Sequence, residues 1–292
     1  MHLNFVEKDT RRFMIYKDIK HVIEERWSGE VLYLSYPLLE QSGVVKHGFS
    51  TRIGGVSKEH LGTMNLSFSR GDDESAVREN FRRMAQVLGV EEDSFVFSQQ
   101  THTTNIRKVT LEDKGKGIQK PLDYAEVDGL ITNVPGLCLS TFYADCVPLY
   151  FVDPVHHAIG LSHSGWRGTV GKIGKKTLEA MKEAYGTDYA DVLVAIGPSI
   201  CQDCYEVSED VIEEFQKAFE QKWWSDLFYK KENGKYQLDL WRANEIIMLE
   251  AGVKKEHLAV TNLCTCCNPN ELFSHRASQG KRGNLAAFLA LK

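Results

Sequence analysis

The sequence predicts an α/β chain of the α+β kind, with layered, mixed β-sheets flanked by helices. Two observations predict it. Short apolar runs bounded by turn residues recur along the chain, and helical periodicity interrupts them in irregular order rather than in a clean βαβ alternation. The composition is globular: 292 residues, 42% hydrophobic and 26% charged, within the size of one large α/β domain. A single domain over residues 1–292 is expected, with residues 1–45 as peripheral strands.

Residues 1–45 alternate polar and apolar, as in Arg12-Phe13-Met14-Ile15-Tyr16 and Val31-Leu32-Tyr33-Leu34. Residues 74–89 place Ala76, Val77, Phe81, Met84, Ala85 and Leu88 at helical spacing, with Gly89 as the stop. Phe95-Val96-Phe97 reads as a strand delivering Gln99-Gln100-Thr101-His102, and Gly115 to Pro121 as a flexible loop. Gly129-Leu130-Ile131-Thr132 and Leu137-Cys138-Leu139-Ser140 read as further strands.

Residues 149–152 and 158–161 form a candidate hairpin around Asp153-Pro154-Val155. A two-residue loop at Pro154-Val155 pairs Cys146 with His163 and sets their Cβ atoms about 5 Å apart. Pro148 has no N–H for the ladder and marks a bulge or edge position. A helix is expected over 169–185 and a buried strand over 191–197. Ser208 is the expected N-cap ahead of Glu209 and Asp210. A helix near 241–252, a strand near 257–262 and an apolar segment over 284–291 complete the chain.

The net charge of −5 and the lack of a long basic run argue against a nonspecific nucleic-acid binder. Lys172, Lys175 and Lys176 read as a solvated helix face. No run of 18 apolar residues occurs, and the polar start Met-His-Leu-Asn-Phe-Val-Glu-Lys-Asp does not fit a signal peptide. A cytoplasmic protein with no membrane partner is expected. Seven cysteines, an odd number, fit reduced thiols better than a disulfide framework.

His102, Cys146 and His163 are the most informative residues. Two imidazoles and a thiolate suit zinc and also accept copper, and three protein ligands plus solvent is the catalytic pattern. Cys146 with His163 as its base also fits a thiol nucleophile, and an isolated His or Cys is often plain core. Arg52, in Gly48-Phe49-Ser50-Thr51-Arg52-Ile53-Gly54-Gly55, reads as an anion contact or as part of a tight turn. His163-Ser164-Gly165-Trp166-Arg167-Gly168 sets Arg167 just before a helix N-terminus, a placement that suits phosphate. Phe273-Ser274-His275-Arg276 and Lys281-Arg282-Gly283 put positive charge near the C-terminus, with Arg276 facing a phosphate or lying on an exposed loop. No Walker or dinucleotide fingerprint is present.

Cys201-x-x-Cys204 reads as half of a zinc knuckle or a redox pair. Cys264-Thr265-Cys266-Cys267 is a candidate other half of a second metal site, but the combination is read as lacking the usual Cys-x-x-Cys repeat, which favours structural thiols near the first site. His47 is either a core histidine or a substrate contact. His156 and His157 read as solvated.

Taken together, these segments resemble the laccase-domain (polyphenol oxidoreductase-like) family, now read as purine nucleoside phosphorylases with adenosine deaminase activity. The resemblance runs from about residue 44 to the C-terminus. It rests on Gly48-Phe49-Ser50-Thr51-Arg52-x-Gly54-Gly55-Val56-Ser57, Gln100-x-His102, Asp128-Gly129-Leu130-Ile131-Thr132, Ala144-Asp145-Cys146-x-Pro148, His163-x-Gly165-Trp166-Arg167-Gly168 and Gly197-Pro198-x-Ile200-x6-Val207. The tail departs from the family's Phe-Ser-Tyr-Arg-Arg, since this chain has Phe-Ser-His-Arg-Ala; no role passes to His275, while Arg276 stays aligned.

The resemblance implies a zinc or copper ion on His102, Cys146 and His163, and a layered fold like the catalytic domain of cytotoxic necrotising factor toxins. It implies nucleoside and phosphate as small-molecule partners: adenosine, inosine or methylthioadenosine. Asp128 or Asp145 then orients a histidine ligand or shuttles protons beside Cys146. Arg52, Arg167 and Arg276 are the candidate phosphate contacts. The zinc cytidine-type deaminase signature is missing, so the general base is unassigned. Copper-dependent phenol oxidation and a metal-independent Cys–His hydrolase are the alternatives. No oligomeric state is legible.

Overall fold

The computed structural model describes residues 14–292. One six-stranded sheet runs, in spatial order, Glu24–Ser28, Val31–Ser35, Val45–Ser50, Leu285–Leu291, Cys138–Tyr143 and Phe95–Phe97, with a single parallel pair at its last edge. The second runs Leu258–Val260, Leu193–Ile196, Val147–Asp153, Ala158–Ser164, Gly129–Thr132 and Ile106–Lys108. Its two outermost pairs are parallel and its inner pairs antiparallel. Glu206–Val207, Tyr236–Leu238 and Phe228–Lys230 form a small third sheet.

Side-chain alternation stacks the two large sheets. Tyr150, Val152, Ile159 and Leu161 point into a core shared with Ala287, Leu289, Phe49 and Leu139 of the other sheet. Their sequence neighbours Leu149 and Phe151 face the opposite way, onto helices Ile173–Tyr185 and Leu240–Ala251. Phe288 likewise turns from the shared core toward Phe81 of helix Glu74–Leu88. The order of layers is helix, sheet, sheet, helix. Strands buried on both faces read as continuous apolar runs, which is why the sequence located them well. The expected layered, mixed-sheet α/β architecture holds.

Helix Glu74–Leu88 forms as its spacing predicts. The Asp73 carboxylate accepts from the Ser75 N–H at 2.7 Å and caps it, and Gly89 ends it at φ 62°. Its buried face also carries Asn80, whose side chain donates to Ser57 Oγ and the Asn65 carbonyl and accepts from the Val56 N–H.

Several local expectations are corrected. The hairpin pairs Asp153 with Ala158 and Pro148 with His163, so the connection spans Pro154 to His157 and the register differs by two residues. The Asp153 carboxylate makes the longer turn by accepting from the Val155 and His156 amides, each at 3.0 Å. A two-residue shift preserves which face each residue occupies, and Pro148 lies in a central strand, not at an edge.

The helix expected over 169–185 is two: Trp166–Val170 and Ile173–Tyr185, with Lys172 at φ 55° between them. Gly171 sits there because a Cβ would come within 2.6 Å of Thr104. Ser208 precedes helix Glu209–Ala218 but caps no amide; its hydroxyl bonds to the Asp210 carboxylate. The 115–121 loop is pinned, with Phe97 N–H donating to the Lys116 carbonyl and Gly115 N–H to the Phe95 carbonyl. Of the first segment, Arg12 and Phe13 lie outside the described residues. Tyr16 makes one bridge to Leu263, and Val31–Ser35 is a largely buried strand.

Candidate metal centre and its pocket

One buried carboxylate sets the positions of two histidines. Asp128, fully buried at the start of strand Gly129–Thr132, accepts from the backbone N–H groups of Thr101, His102 and Thr103 at 3.0, 3.1 and 2.9 Å. Those bonds shape the turn that holds His102 at φ 65°, a conformation most L-residues avoid. The same carboxylate accepts from His163 Nδ1–H at 2.8 Å, leaving Nε2 of that buried ring to face outward as a donor of its lone pair. Cys146 stands just ahead of strand Val147–Asp153, after Asp145 at φ 91°.

The three ligand-capable atoms lie within 4.8 Å of one another. Cys146 Sγ is 3.9 Å from His102 Nε2, and the two imidazole centroids are 5.0 Å apart. Gly165 is what allows this approach: a Cβ there would fall 2.9 Å from His102 Cδ2 and 3.2 Å from Cys146 Sγ. The donor set and its spacing suit a tetrahedral or tetragonal transition-metal ion.

The same geometry polarises the side chains. Burial pushes the Cys146 thiol up, but the adjoining His163 and His102 outweigh it and bring the thiol down to about 6. Burial pushes His163 down, yet the Cys146 thiolate and the Asp128 carboxylate carry it up to about 9. Asp128 itself is held below the usual carboxylate range; burial opposes this, and His163 and the turn amides prevail.

A cavity of about 610 Å³ opens on the triad, with Phe68, Phe97 and Phe142 in its walls and three cations, Arg70, Lys120 and Arg282. Burial and the nearby Arg70 charge lower the Arg282 guanidinium to about 10. Its Nε is buried and makes no hydrogen bond among the described residues. Sequence reasoning noted Arg282 only as C-terminal charge and missed Arg70, which no local pattern marks; the fold folds both loops over one pocket.

The other expected site residues are placed differently. Asp145 does not reach a histidine: its carboxylate accepts from Thr265 Oγ1 and the Arg276 N–H, both at 2.7 Å. Arg52 donates to the carbonyls of Gly62 (2.8 Å) and Pro269 (2.7 Å) and lies over the Phe273 ring. It borders a separate depression with Trp27 and Glu30. Arg167 is exposed and stacks on Trp166 at 4.2 Å. Arg276 donates to the carbonyls of Cys204 and Glu206, in a cleft with Trp166 and Tyr205. None of these three arginines lines the pocket of the triad. His47 is a core histidine: its Nε2 accepts from the Tyr36 N–H at 2.8 Å. His156 and His157 are exposed. Among the described residues no helix is long and apolar enough to cross a membrane.

Comparison with known proteins places the chain among relatives of similar sequence and fold. The chain is 35% identical over 247 residues to purine nucleoside phosphorylase YlmD of Bacillus subtilis, covering 84% of this chain and 88% of the relative. The crystal structure of YlmD from Geobacillus stearothermophilus superimposes with a TM-score of 0.84 at 34% identity, covering 93% of this chain and 99% of that one. That of the Bacillus licheniformis hypothetical protein YfiH gives 0.85 at 33% identity, covering 92% and 99%. The family described as multi-copper polyphenol oxidoreductase laccase matches residues 46–292, and the chain belongs to that family.

Proposed function

We propose that this chain is a metal-dependent purine nucleoside phosphorylase, acting on adenosine, inosine and methylthioadenosine, with adenosine deaminase activity. The observation that carries the reading is that the His102–Cys146–His163 group and two arginines, Arg70 and Arg282, line one cavity large enough for a nucleoside. Relatives named purine nucleoside phosphorylase support the reaction class.

His102, Cys146 and His163 are the residues that would hold the ion, zinc by preference and copper as the alternative. Such an ion acts as a Lewis acid and activates solvent at neutral pH. The chain's own contribution is positional. Asp128 fixes the His163 tautomer and the His102 turn together. In phosphorolysis a phosphate oxygen bonds to C1′ while the bond from C1′ to the purine nitrogen breaks, and its electron pair leaves on the base. Arg70 and Arg282 neutralise the incoming dianion, a role the exposed Arg167 and the tethered Arg52 and Arg276 fill less directly. Phe68, Phe97 and Phe142 offer ring faces and edges to a purine and keep bulk water from the reacting centre. In deamination a solvent-derived oxygen replaces the C6 amino group, which leaves as ammonia.

The test uses protein from a host lacking its own phosphorylase and deaminase. Adenosine should give adenine and ribose 1-phosphate only when phosphate is present, and inosine in its absence, with all three products lost in His102→Ala. Adenine release without phosphate, or full turnover by His102→Ala, would refute the reading.

A metal-independent thiol hydrolase is the second reading. Its support is the chain Cys146–His163–Asp128, in which the thiol is brought to about 6 beside an imidazole anchored on a carboxylate. Full turnover after complete chelation favours it. Phenol oxidation over several coppers has less support, since among the described residues only one group combines histidine with cysteine.

A further inference from the structure

We propose a second metal site in this chain, a closed tetrathiolate centre made by Cys201, Cys204, Cys264 and Cys267, which takes a zinc-class divalent ion and fixes the wall behind the candidate active site. The four sulfurs lie within 4.8 Å of one another. Cys204 Sγ and Cys267 Sγ are 3.6 Å apart, close to the about 3.8 Å edge of a tetrahedron with Zn–S bonds of about 2.3 Å. All seven cysteines of the chain are free thiols. Four thiolates with no imidazole or carboxylate among them select a tetrahedral, soft-ligand ion, and a fourth protein ligand closes the site to substrate.

The sheet explains how two distant segments meet. Strands Leu193–Ile196 and Leu258–Val260 are adjacent and parallel, with Ile196 opposite Val260. Parallel neighbours send their following loops out at the same end, and the pairing continues as a bridge from Ser199 to Cys264. Each loop then presents a Cys-x-x-Cys turn. Cys264 and Cys267 do have the spacing of Cys201 and Cys204, contrary to the sequence reading; the intervening Cys266 obscured it. The Cys201 N–H points at Cys264 Sγ at 3.2 Å, as amides do at thiolate ligands. Lys17, paired with Asp203 at 3.0 Å, stands beside the cluster and offsets part of its negative charge.

The ion's place in the fold gives it a purpose. Arg276 donates to the carbonyls of Cys204 and Glu206, and its N–H and Thr265 Oγ1 hold the two oxygens of Asp145. Asp145 is the residue before Cys146. Binding releases the thiol protons to solvent and clamps the two loops that position Cys146 from behind.

The experiment removes the first site and asks whether the second remains. The double variant His102→Ala/Cys146→Ala is reduced anaerobically, supplied with zinc, desalted and assayed for metal. We expect one equivalent per chain, against two in the unaltered protein. N-ethylmaleimide mapping by mass spectrometry should find Cys201, Cys204, Cys264 and Cys267 protected until a strong chelator is added, with a fall in melting temperature on chelation. Cobalt in place of zinc should give the intense thiolate charge-transfer and visible bands of a tetrahedral four-sulfur site. A double variant with no bound zinc, or with all four thiols labelled at free-thiol rates, overturns the proposal. One equivalent in both proteins would instead leave this centre standing and count against the His102–Cys146–His163 site.

Discussion

His163 Nδ1 lies 2.8 Å from a buried Asp128 oxygen, and the second oxygen of that carboxylate holds the Thr101 and Thr103 amides. One charge therefore orients a histidine and builds the turn bearing the other. Asp128→Asn keeps the shape but loses the charge. It should weaken metal binding about 10- to 100-fold, read by competition with a chromophoric chelator, with turnover falling in parallel. Unchanged affinity would detach Asp128 from the centre.

Gly165 tests the spacing itself. Its φ of −75° accepts any residue, so Gly165→Ala strains no backbone and instead drives a methyl between His102 and Cys146. Turnover and bound metal should fall more than tenfold, with the melting temperature shifted by only a few degrees. Normal metal content in this variant would mean that the three groups do not share an ion.

Cys146 should be reactive in protein stripped of metal. With its thiol at about 6 and His163 up to about 9, the thiolate–imidazolium pair is present between those values. Iodoacetamide labelling of the Cys146 peptide should rise through a midpoint near pH 6, well below an ordinary thiol at about 8.5. Added zinc should suppress it. A midpoint above 8 would contradict the ion pair.

Arg282 and Arg70 should act on phosphate. Arg282→Ala should raise KM for phosphate about tenfold or more, with the nucleoside KM changed far less. An equal effect on both would point to a general collapse of the pocket.

His47 predicts a pH dependence of stability away from the site. Burial lowers it from 6.5 to about 4, and its Nε2 must stay unprotonated to accept from Tyr36. The folded state thus binds that proton less readily than the unfolded chain. Its contribution is full above about pH 6.5 and is lost as pH falls toward 4, by up to about 3 kcal/mol. Urea unfolding from pH 7.5 to 4 should show that slope, and His47→Gln should flatten it.

Local patterns carried much of this fold into the sequence. The period of Val77, Phe81, Met84 and Leu88 named one helix face, and apolar runs named the core strands, because both signals are short-range. The hairpin register was not legible, since the Asp153 side chain, not the Pro154-Val155 pair, decides the turn. Arg70 and Arg282 were overlooked as site residues for a different reason: only the assembled fold brings their loops over the triad. The two Cys-x-x-Cys runs needed the parallel pairing of Leu193–Ile196 with Leu258–Val260 to become one cluster. His102, Cys146 and His163 stood out because their residue types are rare and chemically specific.

The most direct measurement is a zinc titration of metal-stripped protein, following adenine release from adenosine in phosphate buffer. Activity should be absent at the start, rise with occupancy to a plateau, and stay at baseline throughout in His102→Ala. Full phosphorolysis before any ion is added, or a normal titration by His102→Ala, would contradict a catalytic ion held by two imidazoles and a thiolate.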